Sequence, residues 1–212
     1  MKPSTRILSL LAVLSIVASP AFGDDATNYD NSGNWKSGMG DFDDAIIDYT
    51  KAIELKSDDT NAYIGRGAAK KDKGDLDGAI ADLTKAIEIK PDFVAAYIVR
   101  GGAKFAKHDF DGAIADFTKV IELKPDDVDA YIGRGLTKNK KGDLDGALAD
   151  FDKAIEIKPD EAFTYYNRGV VEHTKGDSSS AQADFKKAIE LNPKLRAPIE
   201  AKGYLTNGTS SK

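Results

Sequence analysis

Arginines and aspartates recur in this sequence with one fixed spacing. Both series repeat every 34 residues, and their members are Arg66, Arg100, Arg134 and Arg168, together with Asp48, Asp82, Asp116, Asp150 and Asp184. A guanidinium and a carboxylate can form charge-assisted hydrogen bonds, which are stronger than those between neutral groups. Burying either group alone would be strongly destabilising. We therefore expect a structural ladder of ion pairs between neighbouring helices; the alternative is a row of arginines that binds a ligand.

Side chains that commonly serve catalysis or metal binding are scarce. The sequence has no cysteine, which excludes disulfides, thiolate metal sites and a catalytic thiol, and its two histidines are His108 and His173. No second histidine or cysteine lies near His173, so no metal site is expected. Neighbouring acids such as Asp75 and Asp77 fit turns and helix caps better than a catalytic pair. With no Ser/His/Asp set and no phosphate-binding glycine loop, we expect no cofactor and no enzymatic activity.

The chain is acidic, with a formal net charge of −5 at pH 7 and a pI near 5.2. Nucleic-acid binding needs a basic stripe that neutralises phosphates, so nucleic acid is not expected as a partner. Charged residues make up 31% and hydrophobic residues 41% of the chain, a balance that is typical of folded rather than disordered proteins.

Residues 1–23 have the layout of a cleaved signal peptide. Two basic residues precede an apolar run from Ile7 to Ala18, and small residues follow at Ala21 and Gly23. A retained anchor is the alternative, but a membrane-spanning helix needs about 20 apolar residues. An exported chain without cysteine indicates a bacterial envelope. We therefore expect a periplasmic or secreted bacterial protein with no stable membrane insertion after cleavage.

From residue 26 onward the sequence repeats itself. The segments 62–92 and 130–160 are nearly identical and begin 68 residues apart, which is twice the 34-residue period. Each unit holds two amphipathic helical patterns, separated by a glycine such as Gly74 and ended by a proline such as Pro91. Asp77 is expected to cap the second helix. A fixed period built from two helices is typical of a solenoid.

This repeat resembles the tetratricopeptide repeat. The matching residues of the third unit are Tyr97, Gly101, Ala113, Phe117, Val120 and Pro125. The resemblance implies an all-α, right-handed superhelical solenoid over residues 24–205, with helix–turn–helix repeats at 26–59, 60–93, 94–127, 128–161 and 162–195. A capping helix is expected at 196–205 and a disordered tail at 206–212. The first half of the first repeat is rich in glycine, so we expect a frayed end there.

Three positions depart from the family pattern, and the first is the seventh residue of the repeat, which is usually apolar in the family but is the recurring arginine here. The eleventh residue of the repeat is often tyrosine in the family, but here the five residues are Lys36, Lys70, Lys104, Lys138 and Glu172. We expect the lysine heads to be solvated, with their stems lying on apolar neighbours. His108 replaces the glycine that joins the two helices of the third unit. Because histidine tolerates left-handed backbone better than most residues, we expect only a small strain at this turn.

In the family, the first helix of each repeat lines a concave groove. By register, this chain would present a mostly apolar strip there, formed by Ile64, Lys71, Ile98, Phe105, Ile132, Leu136, Asn139, Phe163, Tyr166, Val170 and His173. Exposed apolar strips with polar rims are typical of partner sites; packing between adjacent helices is the alternative. The set of lysine, arginine and asparagine residues with which some members grip chaperone C-termini is absent. An apolar extended segment or an amphipathic helix is therefore the expected ligand.

These expectations together describe a non-catalytic protein–protein interaction scaffold of the bacterial envelope, which binds an apolar peptide or helix in its groove. The alternative function is a self-associating structural solenoid without a groove ligand, for which a weak homo-oligomer would be the partner.

Overall fold

The computed structural model describes residues 25–205, so the predicted signal peptide at 1–23 and the predicted tail at 206–212 lie outside the described residues. The helices are α1 (Asp25–Met39), α2 (Phe42–Leu55), α3 (Thr60–Asp72), α4 (Leu76–Ile89), α5 (Val94–Ala106), α6 (Phe110–Leu123), α7 (Val128–Lys141), α8 (Leu144–Ile157), α9 (Ala162–Lys175), α10 (Ser178–Leu191) and α11 (Arg196–Ala201). A short 3₁₀ turn, Pro193–Leu195, precedes α11. Residues 25–205 contain no strand, which confirms the all-α helical repeat fold.

Each repeat is a helical hairpin, and in repeats two to five the second helix begins at an aspartate whose side chain caps it. In the second repeat the side chain of Asp75 accepts a hydrogen bond of 3.0 Å from the backbone N–H of Gly78. Such a cap typically stabilises a helix by about 1 kcal/mol. The prediction that Asp77 is the cap was wrong, because Asp77 lies inside the first turn of α4, where its charge faces the helix N-terminus.

The turns between the two helices of a repeat need left-handed backbone at one residue. Glycine supplies it in four of the repeats, with φ between 87° and 90° at Gly40, Gly74, Gly142 and Gly176. In the third repeat His108 takes this position with φ 63°, and its ring meets the Phe110 ring edge-on at 5.7 Å. The predicted left-handed geometry at His108 is therefore confirmed, and a non-glycine residue there is strained.

Replacing this histidine with glycine should relieve the strain. We expect His108→Gly to raise the free energy of unfolding by about 0.5–1 kcal/mol, since relief of the left-handed strain exceeds the entropy that glycine adds to the unfolded chain. Urea denaturation followed by circular dichroism measures the change. The matched control is the reverse change at the equivalent turn, Gly142→His, which should lower stability by a similar amount. A loss of stability in His108→Gly would contradict the strain.

Small residues let the two helices of each repeat pack closely. The alanine near the start of each second helix is at most 1% exposed, and these residues are Ala45, Ala79, Ala113, Ala147 and Ala181. The glycine in the middle of each first helix is equally required. A Cβ added at Gly101 would lie 3.1 Å from the Phe117 ring, and one added at Gly135 would lie 2.9 Å from the Phe151 ring. The core is therefore a row of large side chains seated against small ones.

The first half of the first repeat is a continuous helix, so the expectation of a frayed end there was wrong. Gly33 is buried in α1, and a Cβ at this position would lie 2.7 Å from the Tyr49 ring. Ala26 is also buried, at 4% exposure. Contacts with α2 therefore determine this helix, since tertiary packing overrides the low intrinsic helix propensity of glycine.

The C-terminal end of the solenoid is covered by α11 and the residues after it. Ile199 is fully buried, and the Tyr204 ring stacks on the Phe185 ring with centroids 4.9 Å apart and planes 3° apart. The predicted capping helix at 196–205 is too long, because α11 ends at Ala201 and Gly203 then takes a φ of 70°. The left-handed turn ends the helix and directs Tyr204 back onto the apolar face.

Candidate functional site

The arginines and the aspartates are brought together within the hairpins of repeats two to five. In the second repeat, Arg66 Nε lies 2.9 Å from Asp82 Oδ2 and its NH2 nitrogen lies 2.7 Å from Asp82 Oδ1. The same bidentate contact joins Arg100 to Asp116, Arg134 to Asp150 and Arg168 to Asp184. In each pair the aspartate side chain is at most 8% exposed. These arginines are therefore held by carboxylates rather than free to bind a ligand through their guanidinium forks.

Each arginine also reaches the preceding repeat. The NH1 nitrogen of Arg100 donates to Thr84 Oγ1 at 3.0 Å, and Arg66 and Arg134 make the same contact with Thr50 and Thr118. A guanidinium thus joins the two helices of its own hairpin and the second helix of the previous hairpin. A planar side chain with five fixed donors can do this, whereas a lysine could not. We call this set of contacts the ion-pair ladder.

The lysines four residues after these arginines belong to the ladder as well. Lys70 Nζ lies 2.8 Å from Asp82 Oδ2, and Lys104 and Lys138 approach Asp116 and Asp150 in the same way, at 2.9 Å and 2.8 Å. Their side chains are at most 22% exposed, so the expectation of solvated lysine heads was wrong. Residues four apart share one helix face, and this spacing could have predicted the contact.

The first repeat keeps the aspartate but has no arginine. Ser32 stands at the arginine position and donates to Asp48 Oδ2 at 2.6 Å, and Lys36 Nζ approaches the same oxygen at 2.6 Å. Burial alone would raise the pKa of Asp48, but the hydrogen bonds from Lys36 and Ser32 hold it below its ordinary value. Asp48 is therefore an ionised, satisfied member of the ladder.

The fifth repeat reverses the charge at the lysine position. Glu172 lies there, and its Oε2 atom is buried without a hydrogen-bond partner. Burial, followed by the nearby charge of Asp184, raises the pKa of Glu172 to about 7, although Arg168 opposes the shift. Arg168 compensates by taking a second carboxylate, since its NH1 nitrogen lies 2.6 Å from Asp152 Oδ1. Here one cation faces three carboxylates, whereas two cations face one carboxylate in repeats two to four.

The predicted groove residues lie on the first helices of repeats two to five. Ile64, Ile98 and Ile132 are half-buried, because each also packs against a cluster of the core. Phe163 is 53% exposed, which leaves most of its ring accessible to a partner. The isoleucines therefore combine the two expected roles: part of each side chain packs between helices, and the rest is accessible to a partner.

Three members of the predicted groove, Lys71, Tyr166 and His173, contact other side chains of the chain. Lys71 pairs with Asp72 at 2.8 Å, and the Tyr166 hydroxyl accepts a hydrogen bond of 2.9 Å from Lys202 Nζ. The His173 ring contacts the Tyr204 ring, with centroids 5.0 Å apart. Residues after α11 therefore cover the part of the strip near Tyr166 and His173. Phe105, Leu136, Asn139 and Val170 are half-buried.

Two cavities open between successive first helices, and they were not predicted. The smaller, of about 140 Å³, lies between α5 and α7, and its lining is Gly102, Phe105, Phe117, Gly133 and Leu136. The larger, of about 580 Å³, lies between α1 and α3. Its lining includes Asn34, Ser37, Tyr49, Gly65 and Ala68, which are the residues 68 positions before those of the smaller cavity.

A glycine opens each cavity above an aromatic ring. A Cβ at Gly65 would lie 2.5 Å from the Tyr49 ring, and one at Gly133 would lie 2.7 Å from the Phe117 ring. The equivalent residues of the third and fifth repeats are Val99 and Asn167. The sequence signal for the cavities was therefore glycine at this position in alternate repeats.

Two further findings on residues 25–205 concern metal-ligating side chains and membrane-spanning helices. This part of the chain brings no three histidine, cysteine or acidic side chains together in a way that could hold a metal ion. None of its helices is both long enough and apolar enough to cross a membrane.

The fold and the groove define this molecule as a helical-repeat solenoid with the first helix of each hairpin along one face. A family model described as tetratricopeptide repeat matches residues 26–59, 60–93, 94–127 and 164–195, and another, described as TPR repeat, matches residues 135–176. The chain belongs to the tetratricopeptide repeat family.

Several solved structures are similar to the chain. MamA is 30% identical with a TM-score of 0.71, over 87% of this chain and 98% of that one. YrrB, described as a TPR protein with an unusual peptide-binding site, is 27% identical with a TM-score of 0.69, over 84% of this chain and 92% of that one. A MamA fragment from Desulfovibrio magneticus RS-1 is 22% identical, has a TM-score of 0.75 over 83% of this chain and 99% of that one, and shares the fold. No curated protein sequence matches the chain. The similarity to MamA and YrrB supports a protein-interaction role.

Proposed function

We propose that this protein is a non-catalytic interaction scaffold of the bacterial envelope, which binds an apolar peptide or helix along the groove formed by α3, α5, α7 and α9. The observation that carries the proposal is the apolar row on these helices, in which Ile64, Ile98 and Ile132 stand at one register position. Phe163 extends this row with a ring that is 53% exposed. A partner that covers these side chains would bury apolar surface, which is the main favourable term in association.

The ion-pair ladder supports this role by keeping the groove in one shape. Its contacts join the two helices of a hairpin and the neighbouring hairpins, so they restrain the distance between successive first helices. A preorganised surface loses less conformational entropy when it binds a partner. The residues of the ion-pair ladder are not members of the apolar row, so these restraints persist when a partner covers the row.

The envelope location rests on the composition of residues 1–23. Cell fractionation of the source bacterium tests it, with an antibody against the folded repeats. Recovery with the osmotic-shock fraction, at a mass shortened by about 23 residues, supports export and cleavage. Recovery of the uncleaved chain with cytoplasmic markers would exclude this location but would leave the groove unaffected.

Adding charge to the groove should abolish partner binding. We expect the double variant Ile98→Asp and Ile132→Asp to lose capture of an envelope partner in crosslinking pull-downs, because a buried carboxylate at an apolar interface is strongly unfavourable. Circular dichroism must show unchanged helicity. Since both isoleucines also pack against the core, Phe163→Ser provides a second variant at an exposed position and should weaken capture about tenfold.

The matched control places the same charges outside the groove. Ala115 and Ala149 are exposed on the second helices of repeats three and four, so Ala115→Asp with Ala149→Asp adds two carboxylates without touching the strip. This control should capture the partner normally. Equal capture by the control, the Ile98/Ile132 variant and Phe163→Ser would refute the groove as the binding face.

Self-association is a second candidate function, and one observation favours it. Trp35 and Met39 on α1 are each 65% exposed, which is unusual for large apolar side chains of a terminal helix. Size-exclusion chromatography with light scattering at several concentrations tests this function. A mass that stays monomeric at all concentrations eliminates it, and a dimer that is lost in Trp35→Ser supports it.

A further inference from the structure

The two cavities have the same architecture but different chemistry. Both lie between successive first helices, above an aromatic ring of the core, and their lining positions are 68 residues apart. The cavity between α5 and α7 is apolar. The cavity between α1 and α3 includes Asp30, Asn31, Asn34, Asn61 and Asp72 in its lining. We call them the apolar pocket and the acidic pocket.

The charge of the acidic pocket is concentrated on Asp30. This residue stands at the register position that holds isoleucine or tyrosine in the other four repeats. Its Oδ1 atom is buried and has no hydrogen-bond partner. Asp72 is already paired with Lys71, and the nearby Asp59 is paired with Lys56 at 3.5 Å.

A cation in this pocket would supply a partner for the buried Asp30 Oδ1 atom. Burial and then the charge of Asp59 raise the pKa of Asp30, although the charge of Lys56 opposes the shift. None of the lining residues is a lysine or an arginine. The aromatic rings of Tyr49 and Phe93 are among them, and Lys90 Nζ lies 4.9 Å from the centroid of the Phe93 ring. Carboxylates beside aromatic faces favour a guanidinium or an ammonium group.

The apolar pocket requires a different side chain. Its volume of about 140 Å³ fits one large apolar group, which would lie on the Phe117 ring between Phe105 and Leu136. Because Gly102 and Gly133 have no side chains, the Phe117 ring is accessible between α5 and α7. An entering ring or branched chain would therefore contact apolar surface on several sides. Burying such a side chain contributes about 1.5–3 kcal/mol before the costs of association.

We propose that the partner is an extended segment with two anchors, a basic side chain that enters the acidic pocket and a large apolar side chain that enters the apolar pocket. This inference rests on the proposed function; it extends the binding face to α1 and adds one basic side chain to the apolar ligand. The acidic pocket lies between α1 and α3 and the apolar pocket between α5 and α7, so the two are separated by twice the spacing of successive first helices. Because packed helices are about 8–10 Å apart, the anchors lie about 20 Å apart. An extended chain rises about 3.3 Å per residue, which places the anchors about six residues apart on one face.

Synthetic peptides test this spacing. The probe is a fluorescein-labelled peptide of about 12 residues with serine, threonine and alanine around one arginine and one phenylalanine, placed six residues apart in either order. We expect fluorescence anisotropy to show binding at least about tenfold tighter than for the same peptide with the anchors four residues apart, or with either anchor replaced by alanine. Equal affinity for all these peptides, or no binding at millimolar peptide, overturns the two-anchor inference.

Two protein variants assign the anchors to their pockets. Asp30→Asn removes the charge and keeps the shape, so it should remove the preference for arginine over alanine and leave the preference for phenylalanine. Gly102→Leu fills the apolar pocket, so it should remove the preference for phenylalanine over alanine and leave the preference for arginine. This variant is expected to fold, because a Cβ at Gly102 meets nothing within 4 Å. If either variant fails to change its own preference, the assignment is wrong.

The pull-down of the Ile98→Asp and Ile132→Asp variant separates this inference from the proposed function. If that variant loses its envelope partner while the peptides show no preference for the two anchors, the groove function stands and the two-anchor ligand is wrong. If the Ile98→Asp and Ile132→Asp variant and the Phe163→Ser variant both capture the partner normally, the proposed function is wrong. This second outcome is distinct from the first, because none of the three substituted residues lines the acidic pocket.

Discussion

Asp116→Ala is expected to lower the free energy of unfolding by about 3 kcal/mol, the largest effect of any single change considered for this protein. Asp116 is 3% exposed and accepts hydrogen bonds from Arg100 at 3.0 Å and 2.7 Å, while Lys104 approaches it at 2.9 Å. Removing the carboxylate leaves two largely desolvated cations beside each other. Urea denaturation followed by circular dichroism measures the loss, and the lower midpoint should be accompanied by an unchanged slope.

The control for this prediction is an ion pair on the surface of the same helix. Asp111 is paired with Lys141 of the next repeat, and its side chain is 80% exposed. Asp111→Ala should change stability by less than about 1 kcal/mol, because an exposed pair is screened by water. Similar losses in both variants would show that burial does not determine the strength of these pairs. Stability retained in Asp116→Ala would show that the ladder is dispensable.

The second large effect is a pH dependence that arises in the fifth repeat. Glu172 has a pKa of about 7 in the folded protein, because it is buried beside Asp184, and an ordinary value of 4.5. Between pH 4.5 and 7 the folded state therefore binds more protons than the unfolded state, and the free energy of unfolding falls as the pH rises. The shift corresponds to about 3 kcal/mol, of which solvent screening of this partly exposed side chain should leave about 1–2 kcal/mol.

Two substitutions isolate this contribution. Glu172→Gln removes the titrating group, so it should be more stable than the wild type at pH 8 and nearly equal to it at pH 4.5. Glu172→Lys restores the residue of the other four repeats, and it should stabilise further at pH 8 by pairing with Asp184. Glu156→Gln, on an exposed face of α8, is the control and should leave the pH profile unchanged. A wild-type profile that runs parallel to that of Glu172→Gln would eliminate Glu172 as the source.

Much of the fold followed from the sequence because its period is so regular. Glycine and proline recur at fixed positions, and each has a local backbone reason to end a helix. The Arg–Asp contacts could be anticipated because a buried charge needs a partner, and the series of Asp82, Asp116 and Asp150 recurs with the period of the arginines. The structure places these partners within the same hairpin, as with Arg66 and Asp82, and adds the threonine contact to the previous one.

The features that could not be predicted from the sequence depend on contacts between helices. The lysines were assigned to solvent because a long flexible side chain can reach water from almost any helix position, and only the packed structure shows Lys70 directed at Asp82. The stability of helix α1 could not be predicted from helix propensity, which treats Gly33 as unfavourable. In the structure a glycine is needed there, because any larger residue would clash with the Tyr49 ring. The cavities could not be predicted because residues from several helices line each of them. The correspondence between their lining residues becomes visible only when the repeats are aligned.

The short reach of the ion-pair ladder also determines how the chain can fold. Its bidentate contacts and its threonine contacts each join residues 16 positions apart, and the exposed lysine–aspartate pairs between hairpins join residues 30 apart. Closing loops of this size carries a modest entropic cost, and proteins dominated by local contacts fold on the microsecond to millisecond timescale. Any hairpin can therefore act as the nucleus, and structure can spread from it in both directions without waiting for distant parts of the chain to meet.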